Sequence, residues 1–371
     1  MCVCVCVCVD AGDVEQHQIL AMAEGASTTC KTYTVKSGDI CYDIANDNGI
    51  SLSDLLSYNP GIDCDNLQIG QTLCISEPTS DETPTSPDSP TSGSGSTNGK
   101  LFREYIGAEF NDVAFSDVPI NDGVEFHYIL SFAIDYNADG SQSTNGNFNV
   151  FWDDQKLTPD AVLAIKSQHK NVKVMVSLGG DTVNGNFAQF QPTTVSTWVS
   201  NAVSSLTNLV QKYHLDGIDI DYEHFDMSSE ATFSTCIGQL ITQLKQDGVI
   251  SSASIAPFDG VESFYKALWN DHSSIIDYVN FQFYTYDTTT SASQYVTYYK
   301  TAAAKYAGGN VLASFSTEGN VGPSPSTVLD ACQQLKSSGL LPGIFVFSAD
   351  DSFVSSAKFQ YEQDAQSLLA S

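Results

Sequence analysis

The chain has few basic residues. Lysine and arginine together number 15 among 371 residues, against 44 aspartates and glutamates, and the formal net charge is -29. A surface of this sign repels nucleic acids and anionic membranes, so we expect neither as a partner. The same charge disfavours an acidic substrate.

Long apolar runs are also absent. None approaches the roughly 20 residues that a membrane-spanning helix needs, which predicts that no segment crosses a bilayer. Residues 1–29 begin with alternating cysteine and valine and lack a positively charged segment, so we interpret them as a leader or a disordered stretch. Alternate cysteines cannot close a tetrahedron around zinc, and we expect no metal site.

The most informative stretch is Asp216-Gly-Ile-Asp-Ile-Asp-Tyr-Glu223. Its isoleucines and tyrosine favour a strand, in which alternate side chains share a face. Asp219, Asp221 and Glu223 then lie on one face, and the apolar side chains lie on the other. Such a row of carboxylates costs free energy through repulsion and desolvation, so a chain keeps it only for a use. A calcium site or a solvated edge strand is the alternative, but calcium ligands usually come from loops.

This stretch resembles the DxxDxDxE signature of family 18 glycoside hydrolases, the chitinases and their relatives, and every acidic position is occupied. The resemblance implies a (β/α)8 TIM barrel with the signature on the fourth strand. Glu223 would lie at the C-terminal end of that strand, where barrel enzymes carry their catalytic groups. The resemblance therefore identifies Glu223 as the acid, and we expect Asp216 to be structural.

Residues 100–371 alternate between strand and helix patterns. The predicted strands are 103–110, 126–136, 173–180, 217–223, 250–257, 278–286, 311–317 and 343–349. The predicted helices are 159–169, 195–213, 230–246, 263–271, 292–306, 327–337 and 354–369. Eight strands alternating with helices predict an α/β fold closed into a barrel. A doubly wound sheet would need a phosphate-binding glycine loop after the first strand, which residues 105–108 do not supply.

Three further motifs are similar to this family. Ser177-Leu-Gly-Gly180 resembles its SxGG motif, although a glycine pair can also be a simple turn. Gln282-Phe-Tyr284 resembles the Met/Gln-x-Tyr motif of the sixth strand, which implies that Gln282 and Tyr284 face the substrate; core packing is the alternative for Tyr284. Thr285 stands where the family has Asp or Asn. Phe347 stands where the family has a tryptophan that lies under the sugar ring beside the scissile bond. Because a phenylalanine ring offers less area, we expect the sugar to stack on it more weakly.

The resemblance also implies a mechanism in which the substrate supplies the nucleophile, a stated exception among retaining glycosidases. Glu223 would protonate the glycosidic oxygen while the acetamido carbonyl attacks C1. Asp221 would hold the acetamido N–H, and its charge, together with burial, would raise the pKa of Glu223. Asp219 would share the proton of Asp221, and Tyr284 would bond the carbonyl oxygen. No cofactor is implied.

Residues 30–75 contain four cysteines in a segment too short for a large core of its own. Cys30, Cys41, Cys64 and Cys74 predict two disulfides, for which three pairings are possible. Strand patterns at 32–35 and 67–75 enclose helix patterns at 40–48 and 51–58. This β-α-α-β order resembles a LysM domain, a module that binds N-acetylglucosamine oligomers.

The LysM resemblance implies a sugar groove between two loops. The residues that would line it are Gly38, Asp39, Ile40, Asn59, Pro60, Gly61 and Ile62. Backbone groups would bond the acetamido units, and the apolar side chains would contact methyl groups and ring faces. The alternative is that Ser-Gly-Asp and Asn-Pro-Gly are only turn sequences.

The predicted organisation is a leader or disordered segment (1–29), a LysM domain (30–75), a linker rich in Ser, Thr and Pro (76–99) and a barrel (100–371). Cys236 and Cys332 fall on different predicted helices, so we expect buried thiols. We interpret His224 as structural, because alternation along the strand turns it away from the acid.

These resemblances predict a secreted, monomeric endo-chitinase, extracellular or vacuolar, that binds chitin, its oligomers and the fungal cell wall. Two alternatives from other classes stay open. One is a catalytically silent sugar-binding protein, which the presence of Glu223 disfavours. The other is an endo-β-N-acetylglucosaminidase, which the LysM segment disfavours.

Overall fold

The computed structural model describes residues 30–36, 39, 41, 44–45, 48–50, 55, 58–59, 62, 67–76, 99–225 and 228–371. Contacts divide the chain into two compact units, and each is described by itself. Within the described residues, no helix combines the length and the apolar character that crossing a bilayer requires.

The smaller unit contains an antiparallel pair of short strands, β1 (Thr32–Thr34) and β2 (Thr72–Cys74). Between them, the described residues of the two predicted helices that are helical are Cys41, Ile44, Ala45, Leu55 and Tyr58. The second strand is shorter than predicted. A turn occupies residues 69–70, where Gly70 has a φ of 88°, a value that a strand does not accommodate.

A disulfide and a small apolar core hold this unit together. Cys30 is bonded to Cys74, 44 residues further along the chain, and Cys41 is also disulfide-bonded. Cys64 lies outside the described residues. A disulfide that closes a loop of this length stabilises the folded state by roughly 4 kcal/mol, because it lowers the conformational entropy of the unfolded chain. The buried core residues are Val35, Cys41, Ile44, Ala45, Leu55, Leu73 and Ile75.

The larger unit is built on parallel strands. They are, with three short additional pairs of residues, β3 (Leu101–Ile106), β4 (Glu125–Ile134), β5 (Asn149–Val150), β6 (Val172–Gly180), β7 (Thr182–Val183), β8 (Asn186–Phe187), β9 (Gly217–Tyr222), β10 (Ser252–Ile255), β11 (Tyr278–Val279), β12 (Asn310–Val311), β13 (Ala313–Ser316) and β14 (Gly343–Phe347). Three of these strands are short and antiparallel to their partners: β5 pairs with the end of β4, and β7 pairs with β8.

The parallel strands form one ring, in the order β12-β11-β10-β9-β6-β4-β3-β14-β13. Only Leu312 separates β12 from β13, so these two form a single seventh strand and the sheet returns to itself there. All eight predicted barrel strands are confirmed. The sixth is much shorter than predicted, because after Val279 the N–H of Phe283 bonds to the Ser314 hydroxyl (2.8 Å) and residues 283–285 form a 3-10 turn.

The helices of this unit are α1 (Pro159–Gln168), α2 (Val195–Tyr213), α3 (Glu230–Gln246), α4 (Glu262–His272), α5 (Ala292–Lys305), α6 (Pro325–Ser337), α7 (Ala349–Val354) and α8 (Gln360–Ala370). Serine or threonine side chains cap the N-termini of α1, α2, α3, α5, α6 and α7. The prediction of one closing helix over 354–369 is wrong. Two helices occupy this region, and between them Lys358 has a φ of 50°, which a right-handed helix does not contain.

Apolar side chains fill two layers. The larger layer lies between the strands and the helices and includes Phe102, Trp198 and Ile218. Residues of opposite alternation, among them Tyr105, Met175 and Phe345, form a separate cluster inside the barrel. Cys236 and Cys332 are buried free thiols, as predicted, and burial raises the pKa of Cys236 to about 12.

Candidate active site

The acidic row lies on β9 and the residue that follows it. Asp219 and Asp221 are buried, with 0% and 3% exposure, and Glu223 comes directly after the last residue of the strand. The apolar residues Ile218 and Ile220 belong to the layer that faces the helices. The predicted alternation is therefore confirmed, and the three carboxylates share the inward face.

Asp216 precedes the strand and has structural contacts. One of its carboxylate oxygens accepts from Lys166 Nζ (2.8 Å), and the other accepts the backbone N–H of Val174 (2.8 Å). These bonds tie the start of β9 to α1 and to β6. They support the prediction of a structural role.

Four neutral donors surround Asp219. Oδ2 accepts from the hydroxyls of Tyr105 (2.7 Å) and Ser177 (2.8 Å), and Oδ1 accepts from Ser254 Oγ (2.5 Å) and Asn280 Nδ2 (3.0 Å). An ionised carboxylate has about four acceptor positions, and here each is used. Both oxygens of Asp219 are therefore held by neutral donors, and the proton sharing with Asp221 that the resemblance implies stays a prediction.

The side-chain amide of Gln282 bridges the other two carboxylates. Gln282 Nε2 donates to Asp221 Oδ1 (2.9 Å) and lies 3.4 Å from Glu223 Oε1. The same nitrogen donates to the carbonyl oxygen of Ala256 (2.9 Å), which fixes the orientation of the amide. Gln282 thus holds Asp221 and Glu223 in a common geometry at the C-terminal end of the strand.

Burial is the main cause of the altered acidity in this pair. It raises the pKa of Asp221 well above its usual range, with further contributions from the charges of Glu223 and Asp219. Burial also raises the pKa of Glu223 to about 7, and the neighbouring charge that adds to this effect is Asp181. The interaction between the two carboxyl groups raises the pKa of Asp221, and the contribution of Asp221 to the pKa of Glu223 that we expected from the sequence stays a prediction.

Tyr284 lies in the 3-10 turn Phe283–Thr285 and not on a strand, as the sequence had predicted. Burial and the charges of Asp221 and Glu223 raise the pKa of its hydroxyl well above the usual range, so the group stays a hydrogen-bond donor. Thr285, which replaces the Asp or Asn of the family motif, donates its hydroxyl to the carbonyl oxygen of Gln282 (2.8 Å).

Phe347 is the last residue of β14 and is partly exposed. Its ring centroid lies 5.9 Å from that of Tyr284 and 5.8 Å from that of Tyr105. Phe347 therefore packs against two aromatic rings, and the hydroxyl of one of them, Tyr105, is bonded to Asp219. This arrangement suits the predicted role of Phe347 as a floor for a sugar ring.

The glycine pair of the SxGG motif ends β6 and does not form a turn. Gly179 has a φ of 105°, and a Cβ at this position would lie 2.9 Å from the ring of Tyr222. Glycine is therefore needed for the close approach of β6 to β9.

Two residues beside Glu223 were missed or set aside from the sequence. Asp181 directly follows the glycine pair, and its Oδ1 lies 2.7 Å from Nε2 of His224. His224 packs against Phe187, with ring centroids 4.0 Å apart, which supports its structural interpretation. An acidic residue directly after an SxGG motif is the signal that would have pointed to Asp181.

The LysM candidates fall partly within the described residues. Asp39 Oδ2 accepts the Tyr33 hydroxyl (2.9 Å) and the N–H of Lys36 (2.7 Å). Asn59 exchanges two hydrogen bonds with the backbone of Cys74, and Ile62 packs partly against the small core. Asp39 therefore orders its own turn, Asn59 joins its loop to β2, and Ile62 adds to the core, while their part in sugar binding stays a prediction. The remaining four lie outside the described residues: Gly38, Ile40, Pro60 and Gly61.

A metal site requires several ligating side chains arranged around the ion. The residues that the structure describes include no group of three or more histidine, cysteine, aspartate or glutamate side chains arranged to hold a metal ion.

Comparison with known proteins identifies both units. The family model of the glycosyl hydrolases family 18 matches residues 114–338, and that of the LysM domain matches residues 33–76. Chitinase 1 of Tulipa saxatilis subsp. bakeri is 56% identical over 275 residues, which cover 73% of this chain and 87% of that protein.

Solved structures agree with this result. The catalytic domain of a family GH18 chitinase from the fern Peteris ryukyuensis is 70% identical, with a TM-score of 0.72, and the match covers 73% of this chain and 100% of that one. A family 18 chitinase from Crocus vernus is 53% identical, with a TM-score of 0.71 and the same coverage. The chain therefore belongs to family 18 of the glycosyl hydrolases and carries a LysM domain ahead of its barrel.

Proposed function

We propose that this protein is a chitinase that hydrolyses β-1,4-linked N-acetylglucosamine polymers and is anchored to chitin by its LysM domain. The observation that carries the proposal is the arrangement of Glu223 and Asp221, both with raised pKa values and bridged by Gln282. A carboxyl group that keeps its proton near neutrality is what general acid catalysis needs. The plant chitinases similar to this chain support the choice of substrate.

The geometry supports a mechanism in which the substrate provides the nucleophile. Glu223 donates its proton to the glycosidic oxygen, and the acetamido carbonyl oxygen attacks C1. Asp221 Oδ1 is held by Gln282, the other oxygen of this carboxyl group can accept the acetamido N–H, and the Tyr284 hydroxyl can donate to the carbonyl oxygen. The C1–O bond to the leaving group breaks, and an oxazolinium ion forms.

Asp219 then acts through its charge. Because all of its acceptor positions are taken by neutral donors, it offers a fixed negative charge that offsets the positive charge of the oxazolinium ion. Glu223, now a carboxylate, takes a proton from a water molecule as the water attacks C1. The C1–O bond to the acetamido oxygen breaks, which opens the oxazolinium ring. The product keeps the configuration of the substrate.

The pKa of Glu223 predicts the alkaline limb of the activity profile. Because this pKa is raised to about 7, Glu223 is protonated below that pH and loses its proton as the pH rises through it. We expect kcat/KM for chitin hexamer to fall above pH 7. In Asp181→Asn, the limb should move to lower pH, by a few tenths of a unit because Asp181 is largely exposed and its charge is screened. A limb that moves upward in this variant would contradict the assignment.

The LysM domain is proposed to act as an anchor. The Ser, Thr and Pro composition of residues 76–99 predicts a linker, and such a tether would raise the effective concentration of the barrel at a chitin surface, up to the millimolar range for short linkers. Deletion of residues 1–99 should therefore leave hydrolysis of soluble chitin hexamer nearly unchanged, and lower binding to and hydrolysis of colloidal chitin and fungal cell wall. The two proteins are compared on both substrates at equal molarity.

A matched control for this deletion is reduction of the disulfides in the intact chain. Without Cys30–Cys74 the small unit is marginal, so reduction should reproduce the loss on colloidal chitin. An equal loss on hexamer and on colloidal chitin would mean that the segment supports the folding of the barrel, and anchoring would have to be abandoned.

The cellular setting follows from the same features. Disulfides persist in oxidising compartments, so Cys30–Cys74 supports passage through the secretory pathway to the cell exterior or the vacuole. A secreted, monomeric chitinase that binds chitin in fungal cell walls would serve in defence. Antifungal activity that falls on deletion of residues 1–99 is the expected result.

A further inference from the structure

Arg103 is a buried cation inside the barrel. It lies on β3 two residues before Tyr105, so both side chains point inward, and its exposure is 0%. The guanidinium carbon lies 5.0 Å from the ring centroid of Tyr278. Nε and Nη2 have no hydrogen-bond partner among the described residues, and within the same residues Arg103 forms no ion pair. A buried charge held in this way is costly, which calls for a function.

The one hydrogen bond of Arg103 leads to the acidic row. Nη1 donates to Asn280 Oδ1 (2.8 Å), and Asn280 Nδ2 donates to Asp219 Oδ1 (3.0 Å). A guanidinium only donates hydrogen bonds, so the amide oxygen of Asn280 must face Arg103. The amide N–H2 group must then face Asp219. The reversed amide would place its oxygen against the carboxylate.

We propose that Arg103 is a positioning residue of the reaction, which acts through Asn280 to keep Asp219 ionised and oriented beside Asp221. The inference rests on the proposed chitinase mechanism, in which the charge of Asp219 stabilises the oxazolinium ion. The cation polarises the side-chain amide of Asn280, and the polarised N–H group forms a stronger hydrogen bond to Asp219. Asn280 also lies between the two charged groups, so that they do not form a direct ion pair.

The other titratable groups around the hydrogen bonds that join Arg103, Asn280 and Asp219 carry little positive charge. Burial, with the charge of Arg103 as a further cause, lowers the pKa of His127 to about 4 despite its bond to Glu125, so His127 is neutral. Lys173 is partly exposed and paired with Glu125 (2.8 Å). The pKa values of the buried or partly buried hydroxyls of Tyr105, Tyr265, Tyr278 and Tyr284 are raised, so these groups are neutral too. Arg103 is thus the cation that faces the carboxylates.

The test compares Arg103→Met, which removes the charge at similar volume, with Arg103→Lys, which keeps it. Lys173→Met is the matched control, since it removes a nearby cation that is outside the hydrogen-bond chain. The first readout is the pH dependence of kcat/KM on chitin hexamer. Loss of the cation should move the acid limb of Arg103→Met to higher pH by about one unit, while Arg103→Lys and Lys173→Met keep the limb of the unmodified protein.

A second readout does not need turnover. In protein labelled with ¹³C at the aspartate carboxyl carbon, with the signal of Asp219 assigned from Asp219→Asn, this carbon should keep the shift of a carboxylate from pH 8 down to about pH 4. In Arg103→Met it should move towards the shift of a carboxylic acid within this range. Arg103→Gln, which removes the charge and keeps an N–H group that can donate to Asn280, should behave like Arg103→Met and serves if that variant does not fold.

The outcomes separate the inference from the proposed function. Rates that fall equally at every pH, with an unchanged Asp219 signal, would give Arg103 a purely structural role and overturn the inference. An unmodified protein that cleaves no chitin oligomer would overturn the proposed function, and the carboxyl signal would still decide the role of Arg103.

Discussion

Glu223→Gln should hydrolyse chitin hexamer at least a hundredfold more slowly than the unmodified protein and should still bind it. The amide has nearly the same size as the carboxyl group but no proton to donate, and general acid catalysis contributes roughly 10² to 10⁴ in rate. Gln282 Nε2 lies 3.4 Å from Glu223 Oε1, and the glutamine oxygen can take the same position. Turnover is measured by chromatography of the oligomers, and binding by calorimetry.

Glu230→Gln is the matched control. Glu230 is exposed in the first turn of α3, seven residues after the acid, and its side chain accepts a hydrogen bond from Ser263 (3.1 Å). The same chemical change there should leave turnover unaltered. If Glu223→Gln kept more than a tenth of the turnover of the unmodified protein, Glu223 would not be the acid.

Fully deacetylated chitosan should not be cleaved at all. It has the same β-1,4 backbone, but it lacks the acetamido oxygen that attacks C1, and the site offers no replacement. Asp219 is enclosed by four donors, and burial raises the pKa of Asp221, which disfavours the anionic form that a nucleophile needs. We expect release of reducing ends to be undetectable on this polymer, where chitin hexamer at the same sugar concentration is cleaved.

Partially acetylated chitosan is the control for this experiment, since it shares the charge and solubility of the deacetylated polymer. It should be cleaved only where an N-acetylated sugar provides the new reducing end. Cleavage of the fully deacetylated polymer would show that a protein carboxylate or water is the nucleophile and would remove the substrate-assisted mechanism.

Local patterns explain what the sequence could predict. The alternation of Asp219, Asp221 and Glu223 is set by strand geometry and needs no knowledge of the rest of the fold. The barrel was predicted from another local pattern, the eight strand segments that alternate with helix segments along the sequence. Boundaries were less predictable where distant atoms decide them. The sixth strand stops because the hydroxyl of Ser314 takes the N–H of Phe283, 31 residues away in sequence.

The electrostatics of the site were beyond the sequence. Which charge raises the pKa of Glu223 depends on the loop after β6 that brings Asp181 close, and alternation says nothing about it. The chain from Arg103 to Asp219 runs through Asn280, and its two hydrogen bonds join residues that are 177 and 61 positions apart in sequence. Distances of this kind in sequence carry no periodic signal. The full set of donors to Asp219 appears only once the barrel is closed.

The configuration of the first product tests the account most directly. Chitin hexamer is added to the enzyme in an NMR tube, and the anomeric protons of the new reducing ends are followed before mutarotation. Substrate-assisted catalysis by Glu223, with Asp221 and Asp219 as its partners, predicts that the β-anomer appears first and the α-anomer follows as the sugars equilibrate. If the α-anomer appeared first, water would be the direct nucleophile, and the mechanism derived for this site would be wrong.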